Sequence, residues 1–258
     1  MIILGEKLNS SIPSTLEAIQ SGNDEKIITL CKLQEDAGAN FLDVNTAIVG
    51  DEEISAMLHI LEIAQANTSC GIMLDSPNVD VIKAVIGKIE GREIIINSIT
   101  LDERHELISV AKAYNAGVVA LPLTEDGIPD TAEERLENVK KLVEILTSEG
   151  IEMDKIYIDI IVESLAVNGN AATTAIKTCE LVRENFPEIH ITGGLSNISF
   201  GLPKRMNVNT AFISALVCAG LDSGIIDITS EKISAAVTSA EALCGKDEYC
   251  MNYIEKFR

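Results

Sequence analysis

The chain contains no tryptophan, and only 3% of its 258 residues are aromatic. Any core must therefore be aliphatic, built from the Ile, Leu, Val and Ala that dominate its 47% hydrophobic content. Basic residues are scarce as well: 20 Lys and Arg stand against 40 Asp and Glu, a formal net charge of −20. Nucleic acid is excluded as a partner, because no basic patch is left to neutralise phosphates. An anionic membrane surface would be repelled. The acidity suits either plain solubility or an electrostatically complementary protein partner. The six cysteines (Cys31, Cys70, Cys179, Cys218, Cys244 and Cys250) form no CxxC pair. A chain this long needs no disulfide staples, so reduced thiols in a cytoplasmic protein are expected. The opening MIILGEKLN lacks the basic region and apolar run of a secretory signal, and no stretch is apolar enough to span a bilayer.

Several kinds of chemistry are missing too. The three histidines do not cluster: His59 falls within a helical stretch, His105 near a helix start and His190 on the N-terminal side of a strand. No metal of its own is expected. There is no GxSxG, no nucleophilic Cys–His pair and no strand-end lysine placed for a Schiff base. A phosphate ligand is disfavoured. Gly193 and Gly194 approach the usual phosphate-binding place, but they lead into Leu195–Ser196–Asn197 and read as room for a flat ligand.

What the chain does have is eight short apolar runs, at 2–8, 40–46, 70–76, 93–99, 117–124, 156–162, 190–196 and 223–229, alternating with helical stretches. Runs such as GVVALPL and SGIIDI are continuous rather than alternating, as in parallel strands covered on both faces. The clearest helix is 132–149. Thr131 and Glu134 form a capping box, Leu136, Val139, Leu142, Val143 and Leu146 recur at helical spacing, and Gly150 ends it. Asp51 is expected to cap a second helix whose inner face carries Ile54, Met57, Leu58 and Leu61. Gly38 and Gly117 mark helix-to-strand passages. The tail from Lys246 to Arg258 is expected to pack across the outside. Eight strand–helix units of this total length predict an α/β protein, a single (β/α)8 barrel forming one domain over 1–258.

Four of the strand ends read MLDSPN (73–78), IINSIT (95–100), YIDII (157–161) and GGLSN (193–197). They place Asp75, Asn97, Asp159 and Asn197 at the carboxyl ends of barrel strands, where such folds build active sites. Burying an Asp or Asn costs several kcal/mol unless it is hydrogen-bonded. Any one of them could be satisfied by nearby backbone; four on separate strands at one end point to a ligand. Glu6 and Asn9 after the first strand, and Asp43 and Asn45 after the second, extend the ring as packing or support. A carboxylate accepts two parallel N–H groups, and an amide offers a donor and an acceptor together. The set suits a flat heterocycle with a donor–acceptor edge.

LGEKLN at the start, FLDVNT (41–46), MLDSPN, INSIT, YIDI and, above all, GLSNISFGLPKR (194–205) resemble the pterin-binding methyltransferases. These barrels move a methyl group between tetrahydrofolate and a corrinoid protein, and the folate domain of cobalamin-dependent methionine synthase is a relative. The resemblance implies that Asp75, Asn97 and Asp159 hold the pyrimidine edge of the pterin. It implies that Gly194 and Ser196 line the ring and that Asn197, the catalytic position, reaches N5, the methyl-bearing atom. Ser199 and Arg205 would help close the site and meet the folate tail or the partner. Ile160 stands where family members often have Pro, and Phe200 where some relatives carry a polar residue.

A tertiary amine leaves poorly until it is protonated, so methyl departure requires a stabilised N5 cation. The amide dipole of Asn197 can favour that charge, with the proton arriving through water. No segment resembles a cobalamin-binding one, so the corrinoid is expected on a separate protein. The expected protein is thus a homodimeric methyltransferase acting on tetrahydrofolate or 5-methyltetrahydrofolate, in either direction. Dihydropteroate synthase shares barrel and pterin pocket, but it needs more basic residues at the mouth than Lys204 and Arg205. A non-catalytic pterin-binding subunit is the other alternative.

Overall fold

Helical connections give Ile- and Val-rich runs the crossovers that parallel pairing requires, and the runs pair in parallel here around a barrel. The computed structural model describes residues 1–258. Its strands are β1 (Ile2–Asn9), β2 (Phe41–Asn45), β3 (Gly71–Asp75), β4 (Ile94–Thr100), β5 (Gly117–Leu121), β6 (Ile156–Asp159), β7 (His190–Thr192) and β8 (Ser223–Ile226). All neighbours are parallel, in the order β7-β6-β5-β4-β3-β2-β1-β8. Closure between β7 and β8 rests on one bridge, Gly194 to Ile225, with Ile225 N–H donating to Gly193 O at 3.0 Å. The (β/α)8 architecture expected from the alternation is the one observed.

The helices are α1 (Pro13–Ser21), α2 (Asp24–Asp36), α3 (Glu53–Asn67), α4 (Val79–Val85), α5 (Glu106–Ala113), α6 (Ala132–Ser148), α7 (Ala171–Asn185), α8 (Arg205–Ala219), α9 (Glu231–Leu243) and α10 (Met251–Phe257). In α6 the Thr131–Glu134 capping box forms as expected, and Leu136, Val139, Leu142, Val143 and Leu146 are buried. The tail packs outside: Lys246 reaches the Val217 and Leu221 carbonyls, and both oxygens of Asp247 accept from the first turn of α10.

Strand parity builds the interior in layers. A large cluster fills the space between strands and helices, while Leu4, Phe41, Met73, Ile95, Val119 and Tyr157 form a separate cluster inside the barrel. Because successive side chains alternate faces, the residues two positions further on also point inward. Those are Glu6, Asp43, Asp75, Asn97, Leu121 and Asp159. An apolar floor thus carries a polar layer above it.

Three expectations need correction. Asp51 does not cap α3; it lies in a 3-10 turn (Ala47–Glu52) kinked at Gly50, whose φ of 66° favours glycine, and the helix begins at Glu53 without a side-chain cap. Ile54 consequently faces solvent, while Met57 and Leu61 are buried. Nor are all six cysteines free. Cys218, near the end of α8, and Cys244, just past α9, form a disulfide with Cα atoms 5.6 Å apart, because these two helices pack along each other. Cys31, Cys70 and Cys179 are buried thiols, and Cys250 is exposed. Finally, the run 190–196 is strand only to Thr192, since Leu195–Ser199 turn into a 3-10 helix.

Candidate functional site

Register across the sheet brings the strand-end residues side by side. Asn45 pairs with Asp75, Asp75 with Asn97, and Asp159 with Thr192. Asp75, Asn97 and Asp159 are half-buried. Asp75 Oδ2 accepts from Asn45 Nδ2 at 2.8 Å, leaving its other oxygen open. Asp159 Oδ1 accepts from the Ile161 N–H at 2.7 Å, which likewise leaves Oδ2 open. The Asn97 amide has no partner in the chain. The three therefore present acceptor, amide and acceptor toward the mouth, and β5 adds only apolar Val119 and Leu121.

The electrostatics follow from crowding acids in a small space. Burial pushes the Asp159 carboxyl up to about 6, opposed by the Ile161 N–H and Arg135 and reinforced by Asp75. Burial also raises Asp75, against the Asn45 hydrogen bond and the charge of Arg104. Asp43 is fully buried, its Oδ1 has no partner, and its pKa is raised well above the usual range by burial, then by Asp75 and Glu6. The ring invites a ligand rich in N–H donors.

The opposite side is built by the connection after β7. Asn197 is exposed, and its side chain makes no hydrogen bond. A Cβ on Gly194 would lie 3.0 Å from Asn197 Nδ2, so glycine permits that close approach. Ser196 Oγ donates to Glu6 Oε2 at 3.3 Å. Ser199 is fully buried and serves its own turn: its Oγ donates to Ser196 O at 3.2 Å and accepts from Arg205 Nε at 2.9 Å. Arg205 Nη2 donates to Ser196 O at 2.7 Å, and its guanidinium lies 5.8 Å from the centre of the Phe200 ring. Arg205 is thereby anchored at the rim. Asn9 sits at the edge, its Oδ1 accepting from Ser11 N–H, and Asn45 also accepts from Ala47 N–H and Ser10 Oγ.

Sequence reasoning missed three contributors. Arg135 on α6 is buried, with Nη1 donating to the Ile160 and Ile161 carbonyls at 2.9 and 2.8 Å and Nη2 to Glu163 Oε2 at 2.8 Å. It fixes the connection that positions Asp159, where Ile161 takes a φ of 54°. The available signal was its spacing: Arg135 lies on the same helix stripe as Val139 and Leu142. Glu53 accepts from Ser76 Oγ at 2.6 Å beneath Asp75, and Asp227 pairs with Lys7 at 2.6 Å beside Glu6. The histidines stay apart, His59 with Asp24, His190 with Asp222 and His105 with the Thr100 carbonyl. A cavity of about 540 Å³ opens at the other end of the barrel, among strand N-termini such as Ile2, Phe41 and Ile94.

An eight-stranded barrel with acids and amides gathered at the carboxyl ends of its strands defines a class of small-ligand enzyme folds. The family described as Pterin binding enzyme matches residues 5–227, and the chain belongs to it. It is similar to the methylcorrinoid:tetrahydrofolate methyltransferase of Eubacterium limosum, at 32% identity over 263 residues covering 100% of this chain and 96% of that protein. It is also similar to the methionine synthase of Mycobacterium tuberculosis, at 29% identity over 241 residues, 88% of this chain but 20% of that larger protein. Among solved structures it resembles the 7,8-dihydropteroate synthase of Vibrio fischeri (TM-score 0.68, 16% identity, 95% of this chain and 93% of that one). The dihydropteroate synthase of Coxiella burnetii in complex with pteroic acid is comparable (TM-score 0.65, 16% identity, 94% and 93%). At that identity the likeness speaks for the fold alone. No helix is long and apolar enough to cross a membrane.

Proposed function

We propose that this chain, acting as one domain over 1–258, moves a methyl group between N5 of tetrahydrofolate and the cobalt of a corrinoid carried by a separate protein. The observation that carries the reading is the end-to-end similarity to a methylcorrinoid:tetrahydrofolate methyltransferase. The ring chemistry supports it. Asp75, Asn97 and Asp159 offer the acceptor–amide–acceptor set that a pterin's pyrimidine edge complements. Gly194 and Ser196 border the ring plane, and the unpartnered amide of Asn197 is the group available to N5. As positive charge develops on that nitrogen, the amide oxygen stabilises it without reorganising.

The cobalt comes as substrate, on a partner. Exposed Ile48, Ile128, Val167 and Phe200 stand on the connections after β2, β5, β6 and β7, so the rim carries apolar side chains around an acidic centre. Such a rim suits a protein that delivers a large, mostly apolar macrocycle. A cytoplasmic homodimer is the assembly we propose. Anaerobic mixing with methyltetrahydrofolate and Co(I) corrinoid tests the reaction. Appearance of the methyl-Co(III) spectrum is expected; tight folate binding with no spectral change would instead indicate a binding subunit. Turnover only with a pterin pyrophosphate and p-aminobenzoate would indicate a synthase.

A further inference from the structure

Methyl transfer at N5 moves a proton as well as a methyl group, and the clamp carboxyls stand across the mouth from Asn197, the group proposed to meet N5. Asp75, Asn97 and Asp159 stand on β3, β4 and β6, whereas the turn bearing Asn197 lies beside β8 and β1. On that side Glu6 projects inward from β1, two residues above Leu4, and touches Ser196, the neighbour of Asn197. Behind Glu6 a cavity of about 220 Å³ runs between β8, α8 and α9, bordered also by Arg205, Asn209 and Asp227. Asn209 is buried there, and its Oδ1 has no hydrogen-bond partner. A buried acceptor left unpaired is unfavourable. The cavity mixes these polar groups with apolar Met206, Ile213 and Ile226, and a water held between Asn209 and its polar neighbours would satisfy the amide.

We infer that Glu6 carries the proton on and off N5, and that the cavity behind it is its water route to solvent; the inference rests on the methyl-transfer reading above. Toward the corrinoid, the Glu6 carboxyl gives its proton to N5 through the Ser196 hydroxyl or a water. The N5–CH3 bond then breaks with its electron pair left on nitrogen, while the electron pair of Co(I) forms the bond to carbon. Glu6 is reloaded from the cavity. In the other direction the N5 lone pair attacks the methyl carbon, the Co–C pair returns to cobalt, and Glu6 carboxylate takes the proton from N5.

The surroundings poise this carboxyl. Asp227 faces it from the end of β8, Asp43 from β2, Lys7 from its own strand and Arg205 from α8, while α9 offers apolar Ile233. Burial and Asp227 raise its pKa, and Lys7, Ser196 and Arg205 oppose them. A carboxyl lifted toward neutrality exchanges protons more usefully than an exposed glutamate.

The test is single-turnover transfer from methyltetrahydrofolate to Co(I) cobalamin across pH 5–8, with wild type, Glu6→Gln and Asn209→Leu. Glu6→Gln is expected to slow transfer by about a hundredfold, flatten the pH–rate profile and abolish the solvent isotope effect. Its folate affinity and melting temperature should stay close to wild type. Asn209→Leu should lower the rate about tenfold with the pH profile retained, since Glu6 remains. Formate should restore part of the rate of Glu6→Ala. A full-rate Glu6→Gln enzyme, or one that is slow with an unchanged pH profile, overturns the inference while leaving methyl transfer standing. Failure of the wild-type protein to transfer methyl overturns both.

Discussion

Asn45 on β2 donates to Asp75 on β3 at 2.8 Å, so the carboxylate proposed to grip the pterin is oriented by its neighbour strand. The bond also opposes the burial that would otherwise drive Asp75 further toward its neutral form. Asp75→Ala is expected to weaken folate binding by roughly ten- to a hundredfold, the worth of one charge-assisted contact of about 1.5–3 kcal/mol. Asn45→Ala should weaken it about tenfold, because the carboxylate remains but loses its orienting donor. Calorimetric titration of both variants checks this, and unchanged affinity in Asp75→Ala would remove it from the clamp.

In the proposed site, Asp159 is expected to make binding sensitive to pH. Burial pushes its carboxyl up to about 6. Only the ionised form accepts two N–H groups, so folate affinity should rise from pH 5 to pH 7 and level off above. The folded state holds a proton that the unfolded chain releases near pH 4. This group therefore removes stability as pH rises from about 4 to about 6 and contributes no slope beyond. Titration calorimetry and melting curves across that range should show both trends, and Asp159→Asn should reduce them, with Asp75, Asp43 and Glu6 supplying what remains of the stability slope.

Arg135 is the keystone of the connection after β6. Arg135→Met leaves the Pro129, Ile160 and Ile161 carbonyls without their donor and Glu163 without its ion pair, and is expected to cost about 3 kcal/mol. For a chain of this size that corresponds to a fall in melting temperature on the order of 10 °C. Arg135→Lys should restore little, because a compact ammonium cannot reproduce the planar spread of donors from Nε to Nη2 that reaches these acceptors. Thermal unfolding followed by circular dichroism decides it; a melt within two degrees of wild type would contradict the role.

On the proposed reading, Asn197 separates chemistry from binding. Its side chain has no partner, so Asn197→Ala disturbs no internal bond. Single-turnover methyl transfer should slow by roughly two to three orders of magnitude, the usual loss for one well-placed polar group. Folate affinity should fall much less, since the clamp across the mouth is intact. If rate, affinity and melting temperature declined together, the residue would be a tie for its turn.

The barrel was legible because eight apolar runs alternating with helical stretches leave few other closures, and the ring because its members end those runs. Asp75 follows Met73, Asn97 follows Ile95 and Asp159 follows Tyr157 at the spacing of two that puts floor and ring on one face. What escaped were features decided by contacts distant in sequence. Arg135 looks like a solvated helix charge until the carbonyls of Ile160 and Ile161 arrive beside it. The Cys218–Cys244 pairing depends on how α8 lies against α9, which no spacing in the chain announces. Asp51 looks like a helix cap, but the kink at Gly50 moves the start to Glu53.

The layered interior also limits how this protein can change. Met73 and Asp75, Ile95 and Asn97, Tyr157 and Asp159 are each one strand sampled at two heights, so core and binding surface share a single reading frame. Substituting a ring residue alters recognition and leaves the floor alone. Deleting one residue upstream in β3 would instead turn Leu74 inward and Asp75 toward the helices, spoiling packing and recognition together. New specificities can therefore arise in this barrel by side-chain replacement and by loop variation, while its strand lengths are frozen.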